Sequence, residues 1–256
     1  MHIKPTPYIS IALMLIYVAL VAGIWAINGV DYDTVADTSD SVIKGIVIPV
    51  GVGAAFLAVA ATWLGWWRPA MVEETKVGPR WALVVPGLLL VIALSGVATI
   101  DFGAARTETL LLLALGTAFV GFSEELLTRG LMLVGFRGTL SEVWVWFLSS
   151  LLFGLLHGLN LFFGQSIGAT FYQMGFAFLL GTAFYVTRRL TGLLVVGMVI
   201  HALWDFGALS TEHSGGDPSP IGGILSWVTA ILALVVLVKI LRGHASTPAE
   251  ERAATA

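Results

Sequence analysis

Four residues that can handle protons or bind a metal lie inside long apolar stretches: Glu124, Glu125, His157 and His201. A charged side chain at the centre of a bilayer costs roughly 2.5 to 3.5 kcal/mol, so such residues need a partner, a water cavity or a function. A carboxylate in an apolar cavity can act as a base on water. The residue types therefore indicate hydrolysis, or zinc binding with an open water position.

The charged residues of two apolar stretches have partners at helical spacing. Glu125 and Arg129 are four residues apart and share a helix face, whereas Glu124 points about 100° away. His201 and Asp205 are also four residues apart. This carboxylate can therefore fix the tautomer of the His201 imidazole.

The stretch around His157 is suited to close helix packing, because Gly154 and Gly158 leave room for a neighbouring backbone. At about 1.5 Å per helical residue, Glu124, His157 and His201 reach depths that agree within about two turns. The spacing allows one shared cavity that opens towards the cytoplasm.

The elements that must position these residues are transmembrane helices. Crossing a bilayer takes about 20 apolar helical residues. Eight runs are long enough, at about 8–28, 43–67, 81–100, 109–136, 142–160, 169–187, 190–210 and 221–241. We predict an all-α polytopic bundle of about eight spans, with one transmembrane domain over 1–242 and a disordered cytoplasmic tail over 243–256.

The amino-acid composition indicates that the chain is surrounded by lipid, and it excludes several classes of function. Hydrophobic residues make up 57% of the 256 residues and charged residues 11%, against about a quarter in soluble domains. The partner common to all spans is therefore the lipid bilayer. Cysteine is absent, which excludes thiolate catalysis, and a net charge of -3 makes nucleic acid an unsuitable partner.

The distribution of basic residues predicts the orientation of the chain. Of thirteen Lys and Arg residues, all but Lys44 and Arg106 fall on the side of the two termini, which leaves eleven there. The loop after the first span instead carries four Asp residues. By the positive-inside rule both termini are cytoplasmic, and we expect the cytoplasmic membrane of a prokaryote.

Three motifs follow one another on successive spans: Glu-Glu-x-x-x-Arg from Glu124, Phe-x-x-x-His ending at His157, and His-x-x-x-Asp from His201. In this order they resemble the CPBP family of intramembrane proteases. That family includes type II CAAX prenyl endopeptidases and bacteriocin-immunity (Abi) proteins. The resemblance covers about residues 109–210 and implies an endopeptidase acting on a peptide or membrane-protein substrate.

The resemblance also implies roles for the motif residues. Glu124 would activate a water that His157 helps to hold, while Glu125 and Arg129 would support the site. His201 and the residue four positions later would stabilise the oxyanion, and here that residue is Asp205, one of two types that the motif allows. An ionised Asp cannot donate a hydrogen bond. Asp205 is therefore protonated, orients His201, or reflects a bound metal.

Two mechanisms remain open for such a protease. Two Glu and two His side chains could ligate zinc, but the chain lacks a His-Glu-x-x-His pattern. We favour a metal-free glutamic protease without a cofactor, with zinc as the alternative. Serine and aspartyl mechanisms fit worse, because the chain has neither a Gly-x-Ser-Gly nor a Gly-x-Gly-Asp motif.

Two functions without proteolysis also fit buried polar residues. The first is a non-enzymatic membrane scaffold or immunity protein that binds peptides or partners. The second is a proton-coupled transporter, but the sequence shows no inverted repeat or paired broken helices.

Several polar and aromatic residues outside the motifs receive structural interpretations. Glu73 and Glu74 are expected in a solvated loop, and Trp66 is expected to be an interfacial anchor. Glu142 begins the fifth span, where a negative charge suits a helix N-terminus. None of these residues is assigned to the site.

Overall fold

The computed structural model describes residues 3–246, in which helices and turns occur but no strand. Eight helices are long and apolar enough to cross a membrane, which confirms the predicted all-α bundle of about eight spans. They are α1 Pro7–Asn28, α2 Ser39–Leu64, α3 Arg80–Val97, α4 Thr107–Arg137, α5 Glu142–Phe163, α6 Ile167–Thr191, α7 Leu194–His213 and α8 Pro220–Ser246. Residues 247–256 of the predicted tail lie outside the described residues.

Helix α1 illustrates how local sequence sets the ends of the spans. The Thr6 side chain accepts a hydrogen bond from the amide of Ile9, and Pro7 occupies the first helical position, where no amide hydrogen is needed. Gly29 ends the helix in the left-handed conformation, at a φ of 61°. Between the ends, hydrocarbon offers no hydrogen-bond partner, so the backbone satisfies itself as a helix.

Two spans change their winding next to the predicted site residues. Helix α4 widens into a π-turn over Leu126–Leu131, directly after Glu125. Helix α5 tightens into a 3-10 helix over His157–Phe163. In the π-turn the Thr128 hydroxyl donates to the carbonyl oxygen of Glu124 at 2.6 Å. Irregular turns of this kind within helices are frequent at functional sites.

Helix α4 has a central place in the bundle, packing against α1, α2 and α7, while α5 packs against α6. Gly121 permits the close approach of α4 and α7, since a Cβ atom there would lie 2.8 Å from the amide nitrogen of Ala202. This contact lies one turn before Glu125 and directly beside His201. The missing side chain of Gly121 thus brings the polar residues of two helices within reach of each other.

A buried ion cluster joins the segment between α2 and α3 to the ends of α4, α5 and α6. One oxygen of Glu73 accepts hydrogen bonds from Arg188 at 2.9 Å and from Arg137 at 3.1 Å, and the other pairs with Arg189. Glu142 accepts from Arg137 at 2.7 Å and 3.0 Å. Three guanidinium groups therefore surround two carboxylates at one end of the bundle.

The expectation that Glu73 lies in a solvated loop is wrong, because its side chain is only 4% exposed. Burial alone would raise the pKa of Glu73, but Arg137, Arg189 and Arg188 hold it well below its usual range. The next residue, Glu74, has a 54% exposed side chain and pairs with the exposed Arg68. Two adjacent glutamates thus occupy opposite environments.

Two further interpretations change with the structure. Glu142 lies in the first turn of α5 as expected, and it also accepts a hydrogen bond from the Tyr185 hydroxyl at 2.5 Å. Trp66 is not an interfacial anchor: it is completely buried, and its indole nitrogen donates to the carbonyl oxygen of Ile3 at 2.8 Å. Its position fixes the start of the chain against the end of α2.

We expect Glu73→Gln to lower the free energy of unfolding by about 3 to 5 kcal/mol, because it removes a charged partner from a buried cluster. Glu74→Gln should change it by less than about 1 kcal/mol, since that ion pair is exposed. Both values are measured by unfolding the full chain in detergent micelles. Equal losses in the two variants would contradict the account of the cluster.

The same cluster predicts a dependence of stability on pH. The folded-state pKa of Glu73 is depressed, so the stabilisation from its ionised form is present above the unfolded-state pKa of about 4.3. It is lost progressively as the pH falls below that value. The wild-type chain should therefore lose stability on acidification more steeply than Glu73→Gln, and parallel curves for the two proteins would be the contrary result.

We expect Gly121→Ala to force α4 and α7 apart, at a cost of about 1 to 3 kcal/mol for overpacking. Gly87→Ala in α3 is a matched control, because its added Cβ would meet no atom within 4 Å. Alanine should be neutral or slightly stabilising there. Thermal unfolding of both variants in one detergent is the measurement, and similar melting temperatures would contradict the close contact.

Candidate active site

The site is centred on the His201 imidazole, which α7 holds against α4. The Nδ1 atom of His201 lies 3.3 Å from Oε1 of Glu125. Its Nε2 atom lies 3.5 Å from Oδ2 of Asp205 and 3.9 Å from Oε2 of Glu124. The structure thus brings three predicted acidic residues around one predicted histidine.

The contact with Glu125 fixes the orientation of His201. An ionised carboxylate can only accept a hydrogen bond, so the Nδ1 atom of His201 carries the donated hydrogen. The ring stacks on Phe184, with centroids 5.2 Å apart and planes 25° apart, and meets the edge of Phe153 at 5.8 Å. These contacts hold Nε2 towards Glu124 and Asp205.

The predicted pair of Glu125 and Arg129 lies in the interior of the bundle. Nη1 of Arg129 donates to Glu125 at 2.8 Å and to the Thr128 hydroxyl at 2.7 Å, and both charged side chains are at most 1% exposed. The guanidinium carbon also lies 4.0 Å from the centre of the Phe153 ring. Glu125 therefore compensates the Arg129 charge and orients His201 at the same time.

His157 occupies the point where α5 changes from α-helix to 3-10 helix. Its Nδ1 atom lies 2.9 Å from the carbonyl oxygen of Phe153. A carbonyl oxygen only accepts, so Nδ1 donates this hydrogen bond, and Nε2 is left as the nitrogen available for other contacts. Its ring packs edge-on against Phe153, at 5.1 Å between centroids. One phenylalanine thus contacts His157, His201 and Arg129.

A cavity of about 110 Å³ joins His157 to His201. Its polar lining also includes Asp205 on α7 and Gln173 on α6. This volume is sufficient for water, which needs about 10 to 15 Å³ and several polar partners. A larger groove of about 400 Å³ between α5 and α6 is lined by apolar side chains and glycine, so it offers no acid, base or metal ligand.

The charges of the site do not cancel. With every group ionised, Glu124, Glu125 and Asp205 carry three negative charges against the positive charges of Arg129 and His201. Within residues 3–246, one oxygen of Glu124 and one of Glu125 are buried without a hydrogen-bond partner. Buried polar atoms are normally satisfied, so these oxygens can accept a hydrogen bond or a proton, and Nε and Nη2 of the neighbouring Arg129 likewise have no partner among the described residues.

Metal ligation can be tested against the arrangement of the side chains. The described part of the chain has no group of three or more His, Asp or Glu side chains placed to hold one metal ion. Glu124 lies close to His201, and His157 shares with His201 the lining of a cavity that Glu124 does not line. The metal-free mechanism and the zinc alternative both remain proposals.

The sequence interpretation missed the polar wall opposite Asp205. Gln173 lines the cavity from α6 and is hydrogen-bonded to Asn160, Gln165 and Tyr32. A signal for Gln173 was present, because this carboxamide interrupts the apolar run predicted over about 169–187. Its connection to Tyr32, 141 residues earlier, could not be read from the local sequence.

Comparison with known proteins shows a similarity to a protein family in the part of the chain that forms this site. Residues 106–207 match the family model described as type II CAAX prenyl endopeptidase Rce1-like. No curated protein and no solved structure matches the chain significantly. The matched stretch contains all six predicted site residues and the cavity between α5, α6 and α7, and the family implies protease activity. Residues 106–207 are thus similar to a family of intramembrane proteases, in agreement with the resemblance that the order of the three motifs indicates.

Proposed function

We propose that the protein hydrolyses a peptide bond with a water activated by Glu124 and His157. The observation that supports this most directly is the convergence of His157, His201 and Asp205 on one cavity, with Glu124 next to His201. All these groups lie in helices that are otherwise apolar. Packing of the helices does not require a base and an imidazole within apolar spans, where polar groups are costly, whereas peptide hydrolysis requires both.

The steps of the proposed hydrolysis follow from two groups that can accept hydrogen from water, Nε2 of His157 and the carboxylate of Glu124. The water donates a hydrogen bond to Nε2 of His157 and transfers its other hydrogen as a proton to Glu124, while its oxygen bonds to the carbonyl carbon and keeps the first hydrogen as a hydroxyl group. The carbonyl π electrons move to the carbonyl oxygen and form an oxyanion. When this intermediate collapses, the C–N bond breaks, and Glu124 returns the proton to the leaving amine.

The remaining predicted residues act as supports in this mechanism. Glu125 and Arg129 form a neutral pair that holds His201 through Nδ1. Asp205 lies 3.5 Å from Nε2 of the same ring, which favours an orienting role over donation to the oxyanion. An ionised Asp205 has no hydrogen to donate.

The proposed substrate is a peptide or membrane protein that reaches the cavity from the cytoplasmic side or laterally. An even number of spans returns the chain to the side on which it began. Even without Arg129, which lies inside the bundle, basic residues are far more numerous on that side than on the other, which supports cytoplasmic termini and a prokaryotic cytoplasmic membrane. The substrate class that the family description names is the prenylated CAAX protein.

We expect Glu124→Gln and His157→Asn each to lower kcat by about 10² to 10⁴-fold, the usual contribution of acid–base catalysis. Glu108→Gln, an exposed position in the first turn of the same helix as Glu124, is the control and should retain activity. The measurement is cleavage of a peptide library that includes a prenylated CAAX peptide, by the purified full chain in lipid nanodiscs.

If Glu124→Gln and His157→Asn cleave peptides at the wild-type rate, the proposal that Glu124 and His157 activate the water is wrong. If the wild-type chain cleaves nothing and Glu124→Gln keeps full biological activity, the non-enzymatic scaffold or immunity role is correct instead.

The metal-free mechanism predicts that purified wild-type protein contains far less than one zinc ion per chain. Prolonged dialysis against a chelator should then leave kcat unchanged. Metal content is measured by mass spectrometry on the same preparation that is assayed for cleavage. A stoichiometric zinc ion that is absent from His157→Asn would establish the zinc alternative.

A further inference from the structure

The wall of the cavity formed by α6 carries an ordered amide network. Oε1 of Gln173 accepts hydrogen bonds from Asn160 at 3.0 Å and from Gln165 at 2.9 Å. Nε2 of Gln173 donates to the Tyr32 hydroxyl at 3.2 Å. Thr170 donates in turn to Gln165 at 2.9 Å. The carboxamide of Gln173 is therefore held from three directions.

This network leaves one hydrogen of Gln173 unused. A carboxamide nitrogen carries two hydrogens, and the bond to Tyr32 engages one. Burial raises the pKa of Tyr32 to about 12, despite the hydrogen bond from Gln173, so the phenol stays neutral in ordinary buffers. The remaining hydrogen of Gln173 belongs to a side chain that lines the cavity.

The histidines that line the cavity have their fixed hydrogens engaged elsewhere. Nδ1 of His157 donates to the Phe153 carbonyl, and Nδ1 of His201 donates to Glu125. Nε2 of His201 faces two carboxylates, and Asp205 donates nothing when ionised. The indole of Trp204 also lines the cavity, but no hydrogen bond within residues 3–246 fixes its direction. Gln173 is the donor that its surroundings hold in place.

Peptide hydrolysis in a low-dielectric cavity needs such a donor, because negative charge develops on the carbonyl oxygen. We propose that Nε2 of Gln173 donates a hydrogen bond to the carbonyl oxygen of the scissile peptide as the oxyanion forms. This inference rests on the proposed function and adds a catalytic residue outside the three motifs. It also resolves a difficulty of this chain, in which Asp205 occupies a position where a donor is required.

The test compares Gln173→Leu and Gln173→Glu with Glu108→Gln in the full chain. Both Gln173 variants lose the donor, and Gln173→Glu keeps the shape of the side chain, so it carries the test if the leucine variant does not fold. Glu108 is exposed in the first turn of α4 and belongs neither to the amide network nor to the lining of the cavity. Melting temperatures in nanodiscs show that each variant is folded.

We expect both Gln173 variants to lose about 10² to 10³-fold in kcat, the usual effect of removing one oxyanion donor, with KM within about threefold of wild type. Glu108→Gln should stay within about threefold of the wild-type kcat. The inference is overturned if the Gln173 variants keep the wild-type kcat, if their loss lies in KM alone, or if Glu108→Gln loses as much. A loss found in Trp204→Phe and not in Gln173→Leu would also overturn it.

Glu124→Gln, assayed in parallel, separates this inference from the proposed function. An inactive Glu124→Gln beside a fully active Gln173→Glu leaves the proposed hydrolysis intact and removes only the role of Gln173. A fully active Glu124→Gln removes the proposed water activation itself.

Discussion

The need to compensate the Arg129 charge inside hydrocarbon governs the centre of this structure. A guanidinium stays protonated even when it is buried, so α4 must provide Glu125 one turn earlier, and α5 and α6 must provide aromatic faces. Small residues make room for the pair: a side chain at Gly181 would meet Arg129, and one at Gly197 would meet Glu125. The orientation of His201 follows from the same pair, since Glu125 serves both partners.

The protein has two buried charge clusters, one around Glu73 and Glu142 and one around Glu124 and Glu125, and they differ in how fully their carboxylates are hydrogen-bonded. At the end of the bundle, every carboxylate oxygen of Glu73 and Glu142 accepts a hydrogen bond or ion pair from arginine or tyrosine. Near the centre, Glu124 and Glu125 each keep an oxygen without a partner among the described residues. The first cluster thus engages all its acceptor oxygens, with only Nε of Arg189 unpartnered among its described charged groups, and it joins the ends of several helices. The second has acceptors to spare, which is the condition for exchanging protons with water.

Hydropathy was sufficient to predict the eight spans, because side-chain hydropathy is a property of the local sequence and the backbone of any apolar segment in lipid must form a helix. The residues around His201 could also be predicted, since ionisable groups in apolar runs stand out and their helical spacing is regular. Glu73 and Trp66 were misjudged because their partners, Arg189 and Ile3, are distant in sequence. Gln173 was missed for a related reason: an uncharged amide gives a weak signal, and its significance depends on a cavity formed by three helices.

The π-turn of α4 has a consequence for how the two clusters are connected. A wide turn holds one residue more than an α-helical turn, and one residue corresponds to a rotation of about 100° around the axis. The segment before Leu126 therefore presents Glu125 to α7, while the segment after Leu131 presents Arg137 to the ends of α5 and α6. The extra residue rotates the part of α4 after the turn relative to the part before it. One continuous helix can thereby contact two different sets of neighbouring helices without a break in its backbone.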